Sequence, residues 1–435
     1  MSDTPNRTYP HGSIVEPVYT SGPDLNPGFR TKPWWTMLQE HTVKKEFSAN
    51  DWAINRLQHG ASGLLFYVNS DHYLPRILRD IKLSYVNIGL VVEGSGPDVM
   101  EALLHHAHDE GNTIDGLEGF INIDPVEIAA RTGIWHEEKM YDLGEISRLA
   151  PSQFKYMCCN ANFFGACGAS AATQLGLAAA HLDFYLDAFG EVGYTQYWLA
   201  LTSGTYLFEE IAKHRGIRLL WARLLEEYEL PRTHLELYSE TSTMHQTAYD
   251  EHSNLLRATS AAFGAIVGGA DSVQIRPYNA LTEGADPEGE RLALNQHYIL
   301  AYESYLDRVE DPAAGSYFIE TKTEELCAEA WGLLQEIREL GGIVEALRNG
   351  WVQDKLEAEV QAAIPEKFLG VNIFPEKSQV LPADLQLQPL KSRPEHQLAN
   401  KDSEIEPLIP VRWAANLEHE RLFKESAKQE GHVAE

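Results

Sequence analysis

The chain is poor in cysteine, poor in positive charge and free of long apolar runs, and each shortage closes off a class of protein. Only four cysteines occur in 435 residues, Cys158, Cys159, Cys167 and Cys327, and none forms a CxxC pair. That argues against a disulfide-built scaffold and reads as free, buried thiols in a reducing cytoplasm, with a metal site as the alternative. No stretch of 18 or more apolar residues exists, so no membrane-spanning helix is expected. The first twenty residues, MSDTPNRTYPHGSIVEPVYT, are polar and carry no apolar signal-peptide core. Lys and Arg number 35 against 64 Asp and Glu, a net charge of −29. Such a balance argues against nucleic acid or an anionic membrane as partner. Low-complexity repeats are absent, and no GxGxxG phosphate loop occurs.

What is present is alternation. Hydrophobic residues make up 44% of the chain, enough for one large core, or one large and one small. Buried-strand patterns fall at 61–68, 86–94, 117–124, 154–161, 195–201, 234–240, 271–278 and 316–320, with helical patterns between them. Pro97 and Gly111 bracket one helix, Asp124-Pro125 and Gly133 another. Eight strand–helix units fit a (β/α)8 barrel of about 250 residues. A doubly wound sheet would alternate too, but the missing phosphate loop favours the barrel. The expected layout is an N-terminal arm over 1–45, the barrel over 46–345, a helical extension over 346–375, and a Pro-rich linker with a terminal helix over 376–435. Within the arm, Trp34 and Trp35 read as docked, on the chain's own barrel or on a partner.

In a barrel, chemistry sits at the C-terminal ends of the strands. The positions so placed are Asn69, Ser70, Asp71, Glu93, Asp124, Asn160, Ala161, Asn162, Thr202, Ser203, Ser239, Glu240, Thr241, Tyr278 and Asn279. Asn, Ser and Asp there also cap the following helix. Asn160, Asn162, Ser239, Thr241 and Asn279 are the candidates for the mouth itself. His105, His106 and His108 share one helix; His105 and His108 read as a solvated face, and no metal site is expected.

The run NLLRATSAAFGAIVGGADSV (254–273), then ERLALNQHYILAYESYLDRVEDPAAGSYFIE (290–320), resembles the substrate barrel of the adenosylcobalamin-dependent methylmalonyl-CoA mutases. Several short motifs recur there in one order. The resemblance spans about 45–375 and continues in FLGVNIFP (368–375) and IPVRWAANLEHERL. It implies that this chain is like the small, non-catalytic subunit of a bacterial heterodimeric mutase. The implied reaction, interconversion of methylmalonyl-CoA and succinyl-CoA in propionate metabolism, would belong to the complex. Adenosylcobalamin would sit in the large catalytic partner, with none bound by this chain.

The same resemblance implies vacated catalytic positions. In the family a Tyr-His pair, which aids Co–C cleavage and hydrogen-bonds the thioester carbonyl, precedes the helix that starts here near Gly168. Phe164 stands where the Tyr belongs and Gly165 where the His belongs, and neither side chain can hydrogen-bond. A family RTHSQTSGW run supplies Arg, His and Gln to the acyl-CoA; the corresponding residues are Glu236, Tyr238 and Glu240. Carboxylates beside a polyanion oppose its binding, and no basic cluster for coenzyme A stands out. The cobalamin loop DxHxxG has its nearest match at Asp250-Glu251-His252, which lacks the Gly and reads as a helix start. Fewer than 100 residues follow the barrel, too few for that module. Two other classes fit the sequence: a substrate-barrel subunit of another acyl-CoA mutase with a separate cobalamin subunit, and a structural or chaperone-like binding protein.

Overall fold

Eight parallel strand positions close into a barrel. The computed structural model describes residues 7–8, 14–15, 19–30, 32, 34–111, 114–282, 286–363, 367–376, 379, 381 and 403–429. The strands are β1 (Thr36–Thr42), β2 (Gly63–Asn69), β3 (Asn87–Glu93), β4 (Gly119–Asn122), β5 (Phe154–Lys155, resuming as Met157–Cys159), β6 (Tyr197–Ser203), β7 (Glu236–Thr241) and β8 (Ser272–Gln274). Each pairs in parallel with its neighbours, and Ser272 beside Thr36 joins β8 to β1. β5 breaks at Tyr156: its first piece pairs with β4 and its second with β6, so one split strand completes the ring.

Helices cover the outside: α1 (Glu46–Gln58), α2 (Gly96–Asp109), α3 (Pro125–Thr132), α4 (Glu137–Leu149), α5 (Ala171–Phe189), α6 (Leu207–Glu227), α7 (Ser253–Val267) and α8 (Pro287–Tyr298). Their starts follow local chemistry. Ser95 caps α2, Asp124 caps α3 by accepting from the amides of Val126 and Glu127, and Gly133 ends α3 in the left-handed region. A further helix, α9 (Tyr317–Glu339), lies outside α5 and α6 as a second layer. A Cβ on Gly176 of α5 would lie 2.8 Å from that of Leu333, so glycine permits the close approach. No described helix is long and apolar enough to cross a membrane.

Two expectations are corrected. The strand at 316–320 is instead the first turn of α9. Ser-Tyr-Phe-Ile-Glu mimics a strand over five residues, but buried Ile319, Thr323, Leu326, Ala330, Leu334 and Ile337 continue it at helical spacing. The missing strand is β1, which arises within the segment assigned to the arm. Trp34 and Trp35 lead into it, stacked at 5.5 Å, and the Trp35 indole donates to His297 Nδ1 of α8 at 3.1 Å. These tryptophans therefore dock on the chain's own barrel.

The C-terminal segment is also more than a linker, since residues 403–414 pack along the barrel's C-terminal rim. Backbone amides of Glu404, Leu408, Val411 and Trp413 donate to carbonyls of Gly133, Ala130, Ala166 and Met244. Helix α10 (Trp351–Ala363) and the last helix α11 (Ala415–Gln429) join that rim. Glu418 of α11, fully buried, accepts from the Ala248 amide and pairs with Arg412 at 2.7 Å. The linker residues between 382 and 402 lie outside the described set.

Candidate functional site

Alternation along β7 settles which of its residues face the barrel axis. Glu236, Tyr238 and Glu240 point inward, whereas Ser239 and Thr241 point outward. The three positions implied to be vacated thus form one interior row, filled at three levels.

At the lower end Glu236 lies 3.9 Å from Lys155 of β5. Burial, with Asp271 adding to it, pushes the Glu236 carboxyl up to about 7 against the pull of Lys155. At mid-height Tyr238 stacks on Trp198 of β6 at 5.3 Å, and Trp198 stacks on Phe120 of β4 at 4.0 Å. Tyr238 and Trp198 are each 2% exposed, and the Tyr238 hydroxyl donates to Gln274 of β8. This aromatic stack plugs the axis.

At the mouth Glu240 accepts from Arg276 Nε at 2.8 Å and from Asn162 Nδ2 at 3.2 Å. The same guanidinium reaches Glu40 of β1, and the Arg276 amide donates to Thr241 Oγ1 at 2.9 Å. Burial alone would lower the Arg276 pKa, but Glu240 and Glu40 outweigh it and hold the charge above its ordinary value. The buried Tyr67 hydroxyl sits in the field of both carboxylates, and burial first, then Glu40 and Glu240, push its pKa up. A cavity of about 250 Å³ lies between this clamp and the aromatic stack, bordered by Tyr67, Asn160, Asn162, Trp198 and Arg276.

Phe164 and Gly165 belong to the short helix Asn162–Ala166 after β5. Phe164 is fully buried in the main core. A Cβ at Gly165 would come within 2.0 Å of Thr202 Oγ1 and 2.3 Å of Gln174 Nε2. Those two side chains hydrogen-bond each other at 2.9 Å, so no side chain fits at Gly165 without displacing them.

The other expected positions divide. Asn160 and Asn162 do reach the mouth. Ser239 instead bonds His214 Nε2 of α6 at 2.9 Å, outside the barrel, and Asn279 donates to Asp286 at 3.1 Å in the loop before α8. Asp124 is 1% exposed and bonds His181 and Tyr185, each at 2.9 Å, besides capping α3. Ser203 donates to the Ala261 carbonyl, Ser70 lies on the Glu93 carbonyl through its amide, and Asn69 accepts from the Asp71 amide. Tyr278 stacks on His252 at the start of α7. His105 and His108 are mostly exposed beside Asp109, while His106 is buried. Cys158, Cys159 and Cys167 are free and buried, with burial raising each thiol pKa, and free Cys327 is half-buried. Among the described residues no group of three or more His, Cys, Asp or Glu is placed to hold a metal.

Sequence reasoning missed Arg276 and Glu40. Arg276 carried a signal, the lone cation in the strand run DSVQIRPY (271–278). Glu40 carried none once β1 was assigned to the arm.

The sequence is similar to those of known proteins. The small subunit of methylmalonyl-CoA mutase from Porphyromonas gingivalis is 29% identical, over 94% of this chain and 70% of that protein. The Streptomyces virginiae small subunit is 30% identical, over 85% and 65% respectively. The methylmalonyl-CoA mutase of Rhizobium meliloti is 26% identical over 69% of this chain and 45% of its own length. The chain thus spans between 45% and 70% of the length of these three relatives. The family model described as methylmalonyl-CoA mutase matches residues 67–400, more than half of the chain. With its closed parallel barrel and that match, the chain belongs to the methylmalonyl-CoA mutase family.

Proposed function

We propose that this chain is the non-catalytic small subunit of a heterodimeric methylmalonyl-CoA mutase, with adenosylcobalamin and the acyl-CoA chemistry on a larger partner chain. The observation that carries this reading is the interior row of β7. Glu236, Tyr238 and Glu240 are each committed to a partner within the chain, and the Phe120–Trp198–Tyr238 stack fills the axis along which a substrate would thread. Arg276, at the mouth level of this row, is held by two carboxylates rather than left open to a phosphate or carboxylate ligand.

The same reading leaves adenosylcobalamin to the partner chain. His252, in the segment nearest the cobalamin loop, stacks on Tyr278 at 5.0 Å beside the start of α7. Neither Phe164 nor Gly165 offers a hydrogen-bonding side chain toward the mouth. What the chain supplies on this reading is a rigid barrel with a surface for the partner, in the cytoplasm, serving propionate metabolism.

The test is co-expression with a full-length mutase chain, followed by light scattering, a visible spectrum and an assay with methylmalonyl-CoA. The expected outcome is a 1:1 complex that is active and carries corrinoid. The chain by itself should be inactive and colourless after gel filtration with the cofactor. Stoichiometric corrinoid on the isolated chain, or a monomer that ignores the mutase chain, refutes the proposal. Tight coenzyme A binding by the isolated chain would instead favour a substrate-barrel subunit served by a separate cobalamin protein.

A further inference from the structure

The cavity above the aromatic stack keeps both room and unused polar groups. Tyr67 of β2, Val91 of β3 and Asn122 of β4 are register partners on three adjacent strands, so their side chains point into the barrel at one level. Asn160, just past the end of β5, joins them at the cavity wall. Leu65 and Phe120 hold the next inward positions below, and with Trp198 and Tyr238 they form an apolar floor. Phe163 and Ala166, of the short helix after β5, close one side.

The polar groups on the upper level are not spent within the chain. Among the described residues, neither the Tyr67 hydroxyl nor the side-chain amide of Asn160 makes a hydrogen bond, and both residues are only half-buried. Asn122 Oδ1 accepts from the Asp124 amide at 3.0 Å, while its Nδ2 donates to nothing among them. These atoms are not sealed in protein, and all three side chains border the cavity. Burial, with Glu40 and Glu240 adding to it, keeps the Tyr67 hydroxyl protonated and so a donor. The level therefore offers two donors, from Tyr67 and Asn122, and an Asn160 amide that can both donate and accept.

Charge on the lining is balanced. Arg131 bonds Glu127 at 2.9 Å and Arg276 bonds Glu240 at 2.8 Å. Glu40, the other partner of Arg276, lies outside this lining. An ionised ligand would lose its water here without meeting an unmatched opposite charge, whereas a neutral dipole would lose far less. A cavity of about 150 Å³ is enough for a benzene ring, so about 250 Å³ has room for a ring with a polar head. We infer that this cavity is a binding site for a small uncharged molecule with a planar apolar body and a carboxamide head. The body lies on the aromatic floor, the head's carbonyl accepts from Tyr67 and Asn122, and its N–H donates to Asn160. The site excludes a polyanion such as an acyl-CoA. It goes beyond the subunit reading and does not depend on it.

The test is a ligand-observed NMR titration of the full chain with benzamide, benzoate and benzamidine, which share one shape and differ in charge. Saturable binding of benzamide is expected, with both ions at least about tenfold weaker. Tyr67→Phe, which removes one donor and keeps the ring, should weaken benzamide about threefold or more. No saturable benzamide binding, an ion that binds as well as benzamide, or unchanged affinity in Tyr67→Phe overturns the inference. Should that variant fail to fold, the three-ligand comparison on the unaltered chain decides alone.

Discussion

The two sides of the barrel mouth differ in how much room they leave. On the β5–β6 side, Gln174 and Thr202 bond each other in the space a side chain on Gly165 would need, and Phe164 is sunk in the core. On the β8–β1 side, Gln39, Glu40 and Arg276 border an open cleft of about 500 Å³.

The sharpest way to break this contrast is Gly165→His. On the closed side it should cost more than about 4 kcal/mol or prevent folding, because the new side chain must displace two hydrogen-bonded neighbours. Denaturant unfolding measures it; a stability within about 0.5 kcal/mol of the original would show that this side is not closed. Trp413→Ala comes next. Trp413 is 4% exposed in the cluster that ties the C-terminal segment to the closed rim, and its loss should cost about 3 kcal/mol. The readout is faster hydrogen exchange in α11, ahead of any change in the strands.

Arg276→Met, on the clamp between the two sides, leaves Glu40 and Glu240 facing one another without a cation. With about a quarter of the Arg276 side chain exposed, the expected loss is about 2 kcal/mol, below the full cost of breaking a buried pair. Adding Glu240→Gln should recover part of it, and a fully additive double mutant would contradict the clamp.

The smallest effect concerns Glu236, whose folded-state pKa is raised to about 7 from 4.5. In that window the folded chain holds more protons than the unfolded one, so this group's contribution weakens as pH rises from about 4.5 to 7 and then levels off. Glu236→Gln should remove about 1 to 2 kcal/mol of that pH-dependent loss, and comparing unfolding at pH 5 and pH 8 measures it.

Seven strands were legible because apolar, β-branched runs bounded by Gly, Asp or Pro leave few alternatives. β1 was not, because its sequence TMLQEHT carries Gln39, Glu40 and His41 along a polar cleft and so lacks the apolar run of a buried strand. Conversely, the aromatic stretch at 316–320 looks like a strand only until its longer period is followed into α9. Within the barrel, strand position brings Asn160, Asn162 and Glu240 to one cavity. Ser239 faces away from it, since in a strand adjacent residues face opposite sides and Glu240 takes the inner one.

The sequence by itself determined the alternation of strands and helices, the capping of α3 by Asp124 and Gly133, and the family motifs between Asn254 and Glu320. These depend on local chemistry or on periodicity within one element. Only the tertiary structure decided that Arg276 meets Glu240, 36 residues away, and Glu40, 236 residues away. It also decided that Gly165 has no room and that Gln39 lacks a donor. Closing the sheet brings side chains from distant strands to one level of the barrel, and their pairing depends on register across the ring rather than on spacing along the chain.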